Sequence, residues 1–94
     1  MINIVAFITP KPEFYQQCRQ KIKDVVPITR AEDGCIRFEI YEDDSTKQLV
    51  FVETFSDQQA LDEHYAKPYV LPIFEFYKVA LQREPEIHKL SLIS

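Results

Sequence analysis

The stretch Glu32-Asp33-Gly34-Cys35-Ile36-Arg37-Phe38-Glu39-Ile40-Tyr41 decides the fold, because the spacing of apolar residues changes within it. Upstream, from Phe14, apolar side chains recur at Cys18, Ile22, Val25 and Val26, with Gln16, Gln17, Arg19, Gln20, Lys21, Lys23 and Asp24 between them. Steps of three and four predict an amphipathic helix, kinked near Pro27. Downstream, Ile36, Phe38 and Ile40 alternate with Cys35, Arg37, Glu39 and Tyr41, which is the period of a strand. Gly34 is the only glycine in the chain. Glycine most readily carries a chain out of a helix through positive φ, so Gly34 is expected to do that at this junction.

Working outward, residues 2–9 form an apolar run that stops at Thr9-Pro10-Lys11-Pro12, where proline removes ladder donors and suits a helix start. After Tyr41 come an acidic turn, Glu42-Asp43-Asp44-Ser45-Thr46-Lys47, and a β-forming run from Gln48 to Phe55, which together read as a hairpin. Ser56-Asp57-Gln58-Gln59 matches a capping box with Ser56 at the N-cap, opening a helix through Tyr65. Pro68 interrupts it, a second helical piece runs from about Tyr69 or Pro72 to Leu81, and a last strand covers Ile87 to Ile93.

The resulting order is β-α-β-β-α-β, an α+β, ferredoxin-like antiparallel sheet with its helices on one face. Residues 1–94 read as a single domain without repeats or linkers. The first three strands are apolar on both sides, at Ile4/Val5, Ala6/Phe7, Val50/Phe51 and Val52. The face turned away from the helices therefore needs a cover, and a homodimer with sheets packed face to face is expected.

Composition narrows the function classes. The net charge is −4, the basic residues are scattered and no glycine-rich loop approaches phosphates, so nucleic-acid binding is not expected. The N-terminal apolar run lacks a basic flank and a cleavage site and is too short for a bilayer, which predicts a cytoplasmic protein with no membrane contact. Cys18 and Cys35 fit no metal-ligand spacing and no disulfide framework, so both are expected as free buried thiols. The acidic turn lacks the glycine and spaced ligands of a calcium loop. Seven Phe and five Tyr without Trp suggest an interface or a lined pocket.

Two residues stand out as acid–base candidates. His64 is the natural candidate because histidine is the residue type suited to general-base work near neutral pH, and it lies near Tyr65, Pro68 and Tyr69, which suits a pocket rim; the plainer alternative is a histidine on a short exposed helix, bonded to a backbone carbonyl. Glu53 ends a strand among Phe51, Val52 and Phe55, and a carboxylate in an apolar layer must be paired, hydrogen-bonded or protonated. It either orients His64 or acts as a base, or it bonds backbone donors or a cation such as Arg37. Of the aromatic series Tyr65, Tyr69, Phe74, Phe76 and Tyr77, helical spacing assigns most to the core, with Tyr65 and Tyr69 as substrate-binding candidates. Asn3 and His88 are ordinary polar strand positions.

The segments AEDGCIRFEIYEDD and LVFVETFSDQQALDEHYAKPYV resemble the antibiotic biosynthesis monooxygenase domain. The matching positions are Glu32, Gly34, Cys35, Phe38, Glu53, Phe55 and His64, with Phe55 where a Trp is usual. The resemblance implies a dimeric α+β barrel with a small hydrophobic cavity in each subunit, between sheet and helices. It implies a small-molecule substrate and O2 as partners, and oxygenation of a quinol or anthrone with no cofactor and no metal. Phe38 and Phe55 would line that cavity. Another branch of the family processes a phosphorylated signalling metabolite; Ile36-Arg37-Phe38-Glu39 is similar to its strand, which makes Arg37 a candidate anion anchor. A ligand-binding dimer without catalysis is the third alternative.

Overall fold

In a computed structural model describing residues 1–94, pairing within one sheet sorts the strand side chains onto two faces. Strands β1 (Ile2–Ile8), β2 (Cys35–Asp43), β3 (Gln48–Phe55) and β4 (Glu86–Leu90) lie in the order β2-β3-β1-β4, and every neighbouring pair is antiparallel. This is the ferredoxin-like arrangement expected from the element order. Opposite pairs Ile4/Glu53, Ala6/Phe51 and Ile8/Leu49 share one face with Phe38 and Ile40, which oppose Glu53 and Phe51 from β2. Asn3/Thr54, Val5/Val52 and Phe7/Val50 share the other face with Glu39 and Tyr41.

The first face carries the core. Helix α1 (Tyr15–Arg30), entered through a 3-10 turn at Pro12–Phe14, brings Cys18 and Ile22 to it. Helices α2 (Gln58–Tyr65) and α3 (Leu71–Ala80) bring Leu61, Tyr77 and Ala80. Helix α1 runs through Pro27 to Arg30, and the capping residue Ala31 donates to the Pro27 carbonyl. Proline lacks only its own donor, so the final turn after it can still close.

Four local expectations change. Gly34 does not adopt positive φ; that conformation belongs to Lys47, at 57°, in the hairpin turn where Asp43 accepts from the backbone of Ser45. Gly34 is needed instead because a Cβ there would lie 2.2 Å from Ala60 Cβ and 3.1 Å from Ser56 Oγ. The start of β2 thus rests directly on the first turn of α2, secured by Ser56 N donating to Gly34 O at 2.8 Å. Next, the strand alternation slips at its start. A bulge between Cys35 and Arg37 turns Cys35 towards the core and leaves Ile36 54% exposed, because an extra unpaired residue resets the two-residue period.

The cap of α2 is Asp57 rather than Ser56. Its carboxylate accepts from Ala60 N at 2.8 Å, which satisfies one of the open donors of the first turn and leaves Gln59 out of any capping box. Finally, β4 stops at Leu90, which pairs with Asn3, rather than at Ile93.

Replacing Gly34 with Ala should lower stability by about 1–3 kcal/mol in urea unfolding, the usual penalty for overpacking. Pairing it with Ala60→Gly should recover part of that loss. An unchanged unfolding midpoint for Gly34→Ala would show that the close approach is not a constraint.

Candidate active site

The close approach at Gly34 has a consequence along α2. Ala60 and His64 lie one helical turn apart on the same face, so seating Ala60 on Gly34 carries His64 to the chain just before Gly34. There His64 Nδ1 lies 2.9 Å from Glu32 Oε2, with both side chains nearly buried. Tyr69 Oη donates to the same carboxylate oxygen and sits 3.0 Å from Thr29 Oγ1. The imidazole is flanked by Phe55, at 5.1 Å between ring centroids, and by Phe38, at 5.8 Å. Glu32, not Glu53, therefore orients His64.

Glu53 occupies a different environment. It is 5% exposed, and its Oε1 has no hydrogen-bond partner. Burial alone pushes its carboxyl up to about 7, because the ionised form has lost its water and gained no compensating donor. Arg37, the expected cationic partner, lies on the opposite sheet face beside Thr54, where its Nε bonds Glu39 at 2.6 Å. The alternation of the strand makes that separation unavoidable, since residues 37 and 38 point to opposite faces.

Glu53 and His64 line the same internal cavity, of about 50 Å³, between the sheet and the helices. Phe38, Phe51, Tyr65, Phe74 and Tyr77 supply most of its aromatic wall, and no Lys or Arg reaches it. A space of that size holds a few water molecules, so an aromatic ligand must displace lining side chains. Phe74, Tyr77, Pro85 and Ile87 line both this cavity and a wider outer groove of about 570 Å³ that contains Lys78 and Arg83. Burial raises the Tyr65 phenol to about 12, with the nearby Glu53 charge adding to the shift. Tyr65 thus remains a neutral donor at any ordinary pH.

The expected site residues divide into three groups. Glu53, His64, Tyr65 and Phe38 converge on the cavity. Phe55 and Tyr69 stand behind it, Phe55 fully buried against the His64 ring and Tyr69 on Glu32. Arg37 is on the far face and does not converge. Phe74 and Tyr77, assigned to the core by their spacing, belong to both core and cavity wall. The role of Glu32 escaped the sequence reading because its link to His64 spans 32 positions; its place two residues before the only glycine is the one local signal. Asn3 accepts from Thr54 across the strands, and His88 packs edge-on against Phe7, both away from the cavity. Both cysteines are free, Cys18 buried and Cys35 half-buried.

Comparison with known proteins places the chain in a family. The antibiotic biosynthesis monooxygenase profile matches residues 1–75, and the chain belongs to that family. It is 33% identical over 70 residues to Rv0793, a presumed monooxygenase of Mycobacterium tuberculosis, covering 74% of this chain and 69% of that one. The solved structure of Rv0793 superposes with a TM-score of 0.93 at 28% identity, over 99% of this chain and 95% of the other. A Synechocystis protein, sll1783, is 28% identical over 87 residues; the match spans 92% of this chain but only 59% of that protein. A crystal structure of an antibiotic biosynthesis monooxygenase, 21% identical, shares the fold over the full length of both chains with a TM-score of 0.92. No helix is long and apolar enough to cross a membrane.

Proposed function

We propose that the protein is a cofactor-independent monooxygenase acting on a quinol, anthrone or similar enolisable aromatic. The observation that carries this reading is the unpartnered Glu53 Oε1 in an apolar cavity, a base held close to neutral pH. A general base is most effective when its pKa lies near the working pH. Glu53 accepts the hydroxyl or enol proton, and the resulting electron-rich anion reacts with O2. One oxygen atom enters the ring carbon and the other leaves as water, so the substrate itself supplies the four electrons.

The surrounding residues serve that step. Tyr65 donates to the oxygen on which negative charge develops, and His64 offers its ring to a second oxygen of the substrate. Phe38, Phe51 and Phe74 exclude water, which strengthens each polar contact inside. Tyr69 shapes the site indirectly, through the carboxylate that holds His64. The lining contains no cation to anchor a phosphate, so a phosphorylated substrate finds no support in the cavity.

The working unit in this reading is a homodimer in the cytoplasm. Val5, Phe7, Val50 and Val52 form a half-buried apolar row on the sheet face opposite the helices, the kind of patch that protein partners cover. Sedimentation at micromolar concentration should give twice the 11.1 kDa chain mass, and Val52→Lys should give a monomer. A monomeric wild-type protein would remove the dimer from the account.

Oxygen uptake with a hydroquinone or anthrone should persist in the presence of a chelator. Its kcat/KM should rise with pH through about 7 as Glu53 loses its proton. Glu53→Gln should reduce it by about a hundredfold or more, the typical contribution of a positioned base, and His64→Ala should also reduce it. Uptake that both variants leave intact would overturn the assignment of these residues.

A further inference from the structure

Glu32 lies outside the cavity, yet it determines what the cavity offers a ligand. Its Oε2 receives His64 Nδ1 at 2.9 Å and the Tyr69 hydroxyl, and Thr29 backs Tyr69 at 3.0 Å. A carboxylate facing Nδ1 accepts a proton-bearing nitrogen, and a neutral imidazole carries only one such nitrogen. The other, Nε2, is then a lone-pair acceptor. No protein group bonds Nε2, and His64 forms part of the cavity lining. Phe38 and Phe55 flank the ring, and Tyr65 packs against it at 5.5 Å, so the imidazole cannot turn over without disturbing the core.

We propose that Glu32 is a positioning residue that keeps the proton of the uncharged His64 ring on Nδ1, so that in that form the cavity presents Nε2 as an acceptor for a ligand hydroxyl. Together with Glu53, the cavity then offers two acceptors and no cation. The class of ligand it takes is a neutral aromatic bearing two hydroxyl donors. A carboxylated or phosphorylated one is disfavoured, because it would bring a second negative charge beside Glu53 without a counter-charge. This deepens the reading of the same site given above and rests on it only for the reaction.

The arrangement is tested by ¹⁵N NMR of the histidine side chains of the full chain at pH 8.5, with phenol as a redox-quiet probe and toluene as its donor-free counterpart. In the wild type, His64 should show a protonated Nδ1 and an unprotonated Nε2. Phenol should move the Nε2 resonance and toluene should not. Glu32→Gln keeps an acceptor oxygen and should preserve the tautomer, whereas Glu32→Leu should admit the Nε2–H form and weaken phenol binding about tenfold. A protonated Nε2 in the wild type overturns the proposal, as does an unchanged tautomer in Glu32→Leu. If Glu32→Leu does not fold, the wild-type tautomer and the phenol response still decide it. A phenol response without oxygen uptake on quinols would remove the oxygenase and leave the positioning role of Glu32 standing.

Discussion

Glu53 is held in an apolar layer, opposite Ile4 on one side and Phe38 on the other, with Oε1 meeting no donor. Leaving a buried polar atom unpaired works against folding, and leaving a buried charge unpaired does so more strongly. With the carboxyl raised from 4.5 to about 7, the folded state binds this proton more tightly than the unfolded chain does. The stabilising difference is therefore fully present below the unfolded value and is lost as pH rises through about 7. At one pKa unit to 1.36 kcal/mol, the loss is about 3 kcal/mol, a large share of the stability of a small domain. That cost at neutral pH supports the role of base proposed for Glu53.

The second constraint is the contact between Gly34 and Ala60. It lets β2 begin directly on α2, and so puts His64 beside Glu32 rather than beside Glu53. Two titratable systems then meet one cavity from different sides: an unpaired carboxyl on the sheet, and an imidazole tied to a carboxylate behind the helix. Their separation follows from the topology. Glu53 reaches the cavity from β3 because strand alternation points it to the helix face, and His64 reaches it from α2, whose Ala60 is seated on Gly34 just before β2.

Much of this was legible in the residues. The switch from helical to strand period around Gly34 fixed the order of elements, and the prolines and the hairpin turn marked their ends. His64, Glu53, Tyr65 and Phe38 stood out because titratable and aromatic groups among apolar neighbours demand an environment. What was not legible depended on contacts between distant segments. Glu32 and His64 meet through a helix-on-strand approach that no local pattern encodes. Arg37 looked available to an anion, and one strand position separated it from the cavity. A single bulge residue, Ile36, turned Cys35 to the core side, while Arg37 kept the side that its spacing predicts. Gly34 marked the right place for the wrong reason: close packing, not positive φ, requires it.

Whether an unpaired carboxyl is poised near neutrality within this fold is measured most directly by a ¹³C NMR titration of the Glu53 side chain in the folded protein. The expected inflection lies near pH 7; an inflection near 4.5, the ordinary glutamate value, would show instead that the Glu53 carboxylate is compensated in the folded state.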